Sequence, residues 1–119
     1  MFFDMHADLW TDNLWEYEKG KSDVIRRKYK DRFIEGGVFG GIFVIYLNTF
    51  KDSKPEETFF RSLRAMSEEL YHARDLVHVI KNPEDFEKAK SQNKFATLLG
   101  IEGLPGIGAN LDYIYLLER

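Results

Sequence analysis

The sequence predicts an α/β fold in which about four parallel strands alternate with helices. Two apolar runs have the composition of buried strands, "GGVFGGIFVIYLNTF" and "FATLLGIEG", and long charge-rich amphipathic stretches surround them. The order reads strand, helix, strand, helix, strand, helix, strand, helix, which is the pattern of parallel βα units. With 44% apolar and 15% aromatic residues, the 119-residue chain can bury one core, so one domain without an internal boundary is expected over 1–119.

The first stretch, "FFDMHADLW", reads as a strand over residues 2–9. Alternation would put Phe3, Met5, Ala7 and Leu9 on one face and Asp4, His6 and Asp8 on the other. Residues 10–35 read as helix broken near Gly20, with Phe33 and Ile34 returning to the core and Gly36 and Gly37 ending it. "VFGGIFVIYLN" is a continuous β-branched and aromatic run, as in a strand buried on both faces. "SKPEETFFRSLRAMSEELYHARD" is a helix: Ser53 and Glu56 have capping-box spacing, and Pro55 lies in the first turn. Phe59, Phe60, Leu63, Met66 and Leu70 form its apolar stripe. "LVHVIK", residues 76–81, is a short strand. Asn82 then caps the helix "NPEDFEKAKSQ", with Pro83 in its first position. "FATLLGIEG" is the next strand, "LPGIGAN" a loop, and "LDYIYLLER" the start of a helix with no stop signal. A closed βα barrel needs about 250 residues, so the sequence reads as the first part of something larger.

Composition narrows the function classes. The net charge is −3, and the only basic cluster, "IRRKYKDR", is interrupted by an aromatic and an acid. It reads as a solvated face, and nucleic acid is not an expected partner. There is no cysteine, which removes disulfides, thiolate metal sites and thiol nucleophiles and fits a reducing cytoplasm. The first residues lack a positive n-region, and acids interrupt their apolar run, unlike a signal peptide. The longest apolar stretch is shorter than the roughly 20 residues that span a bilayer, so no membrane association is expected.

His6 and Asp8 form an H-x-D pair near a strand end. Zinc takes imidazole nitrogen and carboxylate oxygen at about 2 Å, and such a pair can reach one ion. Three letters recur by chance, however, and a hydrogen-bonded His and Asp is the ordinary alternative. Glu102 shifts that balance. Its face of the strand carries Ala96, Leu98 and Gly100, all apolar or small, and then a carboxylate at the C-terminal end. Ligands and catalytic groups collect at that end in βα folds. Gly103 follows at once and permits a sharp turn. Two strand ends carrying His6, Asp8 and Glu102 point to one shared hard-cation site. Of the other histidines, His72 reads as exposed or half-packed on its helix, and His78 as a satisfied sheet histidine. "GGVFGG" precedes a strand and lacks phosphate-loop spacing, and no G-x-S-x-G elbow supports a serine hydrolase.

With these residues in view the chain resembles the membrane (renal-type) dipeptidase family, peptidase family M19, among the amidohydrolase-like metal hydrolases. "DMHADLW" is similar to the family's opening D-x-H-x-D strand, and "GGVFGGIFVIY" to its Gly-rich second strand. "SLRAMSEELYHARD" followed by "FEKAKSQNKFATLLGIEG" resembles its helix and its strand ending in I-E-G. "LDYIYLLER" resembles the start of its next helix. The four blocks occur in order and cover nearly the whole chain. The resemblance implies the N-terminal portion of a (β/α)8 TIM-type barrel with a binuclear zinc site at its C-terminal face. His6 and Asp8 match ligands of one zinc; Glu102 matches the catalytic carboxylate that bridges both. Asp4, two residues further from the barrel mouth, matches a supporting position.

The implied activity is zinc-dependent hydrolysis of dipeptides by a metal-bridging water. The family's two remaining histidine ligands, and the later acid and arginine that act on substrate, come from segments after those matched here. The 119-residue chain alone is therefore expected to be inactive. After the bridging Glu the family shows G-G-H, where this chain has "EGLPGIG". A second hypothesis is a non-enzymatic half-barrel that acts as an interaction domain, with the three residues as remnants. A third is a different, mononuclear amidohydrolase. An open parallel sheet exposes its edges, so a homo-oligomer is expected under the first two.

Overall fold

The computed structural model describes residues 1–47, 54–108 and 110–118. Strand β1 spans Phe2–Ala7, helix α1 Leu9–Glu18, a π-helical turn Ile25–Tyr29, helix α2 Lys30–Glu35 and strand β2 Val38–Tyr46. Helix α3 follows at Pro55–His72, strand β3 at Val77–Val79, helix α4 at Glu84–Ser91 and strand β4 at Phe95–Glu102. Two 3₁₀ turns, Pro105–Ile107 and Leu111–Tyr113, lead to the short helix α5, Ile114–Leu117. The four strands form one parallel sheet in the order β1-β2-β4-β3, as the alternation of strands and helices predicts.

β2 lies between β1 and β4, which accounts for its unbroken apolar run. Gly40 is what lets β2 come so close to β4: a Cβ there would overlap the Ala96 carbonyl oxygen. The two faces of the sheet are covered differently. Phe43, Ile45 and Ile101 point to the face packed by α1, α2 and α3, where Leu9, Trp10, Ile25, Phe59 and Met66 complete the main core. On that side Phe33 stacks on Phe43 at 5.6 Å and meets Phe95 edge-on at 5.3 Å. Ala96 and Leu98 point to the opposite face, where α4 supplies Phe86 and Ala89 and Phe3 and Ile80 join them.

β1 departs from the simple alternation. Asp4 pairs with Gly41 and Ala7 with Phe43, so β1 carries one residue more than β2 between those pairs, a bulge. Phe3 therefore packs with the α4 cluster, whereas Ala7 packs against the main core on the other face. Phe3, Met5 and Ala7 do not share one face, and Met5 is exposed. Leu9 is not in the strand at all. The chain leaves the sheet at Asp8, the N-cap of α1, and Leu9 is buried as the first helical residue.

Other boundaries also move. Phe33 reaches the core, but Ile34, about 100° further round the helix, is 61% exposed. Phe59 is fully buried, while its neighbour Phe60 is exposed and sits edge-on to Tyr113 at 5.2 Å. α3 opens with Pro55 as expected; Ser53, the proposed capping residue, lies outside the described residues. α4 begins at Glu84 with Pro83 as its N-cap, one residue later than expected, and Asn82 lies just before it, its Oδ1 accepting from the Asp85 amide at 3.2 Å. Three of the five cations of "IRRKYKDR" meet acids: Arg26 pairs with Asp23 and Asp75, Arg27 with Glu16, and Lys28 with Asp12. Among the described residues no helix is long and apolar enough to cross a membrane.

Candidate metal centre

The three residues singled out in the sequence meet. His6, in β1, Asp8, at the β1–α1 corner, and Glu102, the last residue of β4, each place one donor atom within 4.8 Å of the others. His6 Nε2 lies 3.2 Å from Glu102 Oε2 and 3.5 Å from Asp8 Oδ1. The cluster sits at the C-terminal ends of the strands, on the face that α4 covers only towards the N-terminal ends. All three side chains are about half exposed, at 54%, 58% and 49%.

Local structure explains each position. Asp8 is the N-cap of α1, yet its carboxylate makes no capping bond and turns to His6 instead. The start of α1 also favours negative charge there. The bulge re-aims His6, and its backbone N–H donates to Asp4 Oδ1 at 3.0 Å. Asp4 thus holds the His6 backbone and is not one of the clustered donors. Glu102 ends β4 because Gly103, at φ +72°, takes the left-handed conformation and turns the chain.

The donor set is one imidazole and two carboxylates, which suits a divalent ion such as zinc. Bonds of about 2 Å at a tetrahedral angle set donor atoms roughly 3.3 Å apart. The two distances from His6 Nε2, 3.2 and 3.5 Å, fit that spacing.

The neighbouring helices are tied to the same corner. Asp12 of α1 accepts from Lys28 Nζ at 2.7 Å and from the Tyr29 hydroxyl at 2.6 Å. Burial raises the Asp12 carboxyl, but these two bonds outweigh it and hold the group below its usual range. Burial, reinforced by the Asp12 carboxylate, pushes the Tyr29 hydroxyl well above its usual range. Thr11, which no motif singles out, accepts the backbone N–H of Tyr46 at 2.7 Å through its Oγ1. The remaining histidines stay apart from the cluster. His72 is exposed in the last turn of α3, and His78 lies 3.5 Å from Asp85.

No family model matches the chain. No curated protein matches it either. Among solved structures it is similar to the crystal structure of the dipeptidase AC, a metallopeptidase of family M19, with a TM-score of 0.71 and 21% sequence identity. The match covers 97% of this chain and 40% of that one, so the chain spans well under half the length of this dipeptidase. At that identity the likeness is one of fold: the four parallel strands and their helices match part of a barrel-like α/β fold.

Proposed function

We propose that residues 1–119 form the N-terminal part of a metal-dependent dipeptidase barrel. His6, Asp8 and Glu102 would hold the ion, zinc by preference of the donor set, with Glu102 free to offer its second oxygen to another ion. The observation that carries this reading is the convergence of those three side chains from two strand ends that are not adjacent in the sheet. The dipeptidase fold match and the resemblance of "DMHADLW" and "GIEG" to family blocks support it.

A bound zinc would lower the pKa of water towards neutrality and polarise a peptide carbonyl. The chain's own residues have simpler tasks. His6 in its neutral form offers Nε2 as donor. Asp8 and Glu102 bring negative charge to the mouth of the sheet. Asp4 fixes the His6 backbone through its amide. In this reading further donors and the substrate-carboxylate contact come from segments outside these 119 residues, so the chain by itself binds metal without turning over a dipeptide.

Calorimetric titration with zinc tests this directly. The chain should bind zinc, and His6→Ala and Glu102→Gln should each weaken binding at least about tenfold. Ala-Ala should remain intact in its presence. Absence of zinc binding, or binding indifferent to both substitutions, removes the reading. Hydrolysis of Ala-Ala by the chain, abolished in Glu102→Gln, would instead show a complete active site. A non-catalytic interaction domain is the second reading, favoured by the exposure of Leu99, Leu104, Leu116 and Leu117. Metal indifference combined with a stable dimer would select it.

A further inference from the structure

We infer that Thr11 is a positioning residue for the metal centre, holding the corner that carries His6 and Asp8 in register with the strand end that carries Glu102. The inference rests on the metal-site reading above and extends it to a residue that touches no donor atom. The three donors are about half exposed, so side-chain packing does little to fix them. Their geometry must come from the backbone that bears them. On one side that backbone is the β1–α1 corner, which leaves the sheet after the last β1–β2 pair, Ala7 with Phe43. On the other side it is the end of β4, where Glu102 pairs with Tyr46 of β2.

Between Phe43 and Tyr46, β2 runs on with no described pairing to β1. Thr11 crosses that gap. It sits in the first turn of α1, three residues after Asp8, and is only 4% exposed. Its Oγ1 accepts the Tyr46 N–H at 2.7 Å, a short bond in a buried place. The path from Asp8 to Glu102 therefore runs through one turn of helix, one side-chain hydrogen bond and one strand pair. Partners bonded directly to a ligand tune metal affinity by about 10–100-fold, and Thr11, which acts one step further out through the backbone, belongs at the low end of that range.

Zinc titrations on the whole chain test the inference. Thr11→Val keeps the shape and removes the acceptor, and should weaken zinc binding about tenfold. Thr11→Ser keeps the hydroxyl and should restore the parental affinity. Melting of each variant without zinc is recorded alongside. A purely structural role would lower the melting temperature of Thr11→Val and leave zinc affinity at the parental value, and that result overturns the inference.

A second measurement needs no substitution and stands even where Thr11→Val does not fold. Coupling between two sites is reciprocal, so zinc should slow hydrogen exchange at the Tyr46 amide in the parent chain. Unchanged exchange at zinc saturation also overturns it. Failure of the two readings is distinguishable. A parent chain that binds no zinc removes the metal site and this inference together, whereas a parent that binds zinc as well as Thr11→Val removes this inference alone.

Discussion

Asp85 is the residue on which the β3–α4 connection turns. Its carboxylate accepts from Lys88 Nζ at 2.8 Å, from the Lys81 and Asn82 amides at 2.9 and 3.2 Å, and lies 3.5 Å from His78 Nε2. The Lys88 bond, then the backbone amides, hold its carboxyl far below the usual carboxylate range. A carboxyl whose pKa is depressed by folding adds stability that is complete above the unfolded value of about 3.9 and is lost as pH falls towards the folded one. Asp85→Asn should therefore lower the urea midpoint at pH 7, and the gap to the parent should close steadily between about pH 4 and pH 2. A gap that stays constant over that window would show that ionisation of Asp85 contributes nothing. Residues of this kind differ in how far the sequence exposes them. Asn82 and Pro83 announce a helix start by type alone, and His6, Asp8 and Glu102 stand out as polar groups at the ends of apolar strands. Asp85 and Thr11 do not stand out, because an acid or a threonine in the first turn of a helix is ordinary. What gives each its role is a contact supplied by the fold: Tyr46 is 35 residues from Thr11.

Among the elements, β2 and β4 set the frame of the centre, and their close approach rests on Gly40. Gly40→Ala would drive its methyl group into the Ala96 carbonyl, where both strands are backbone and neither yields easily. It should cost about 3 kcal/mol or more in urea denaturation. Gly103→Ala tests a different effect. Space there is open, with Pro105 Cδ at 3.5 Å from the added carbon, but φ is +72°. The cost should be about 1–2 kcal/mol of backbone strain, and zinc affinity should fall with it because Glu102 precedes the turn. Equal costs at the two glycines would contradict this division between crowding and strain. Alternation located β2 and β4 well, since both run regularly and lie in mutual register over seven pairs. It misplaced half of β1, because a bulge adds one residue without leaving any mark in the composition. The early exit at Asp8 was equally hidden: Leu9 and Trp10 are apolar enough for strand or helix, and only their burial against the main core decides.

For the whole molecule, the strand order has a consequence for the edges. β3 pairs only with Phe95, Ala96 and Thr97, the first residues of β4. From Leu98 to Glu102, β4 has β2 on one side and, among the described residues, no strand on the other. Next to that stretch lies an apolar groove of about 520 Å³, lined by Leu63, Met66 and Leu70 of α3, by Leu99 and Ile101, and by Leu117. Leu99 is 42% exposed although it stands in the middle of a strand. Alternating strands and helices were enough to predict the parallel sheet, but not that β3 lies outside β4, since a three-residue strand carries no sign of its neighbour. An open strand edge beside an apolar groove is the surface on which parallel sheets associate. The chain should accordingly self-associate, with a sedimentation coefficient that rises with concentration. Leu99→Lys places a charge in the groove and should shift the equilibrium to monomer without lowering zinc affinity, because Leu99 points away from the face that carries Glu102. A parent chain that stays monomeric at high concentration would show that neither the open edge of β4 nor the groove beside it drives association.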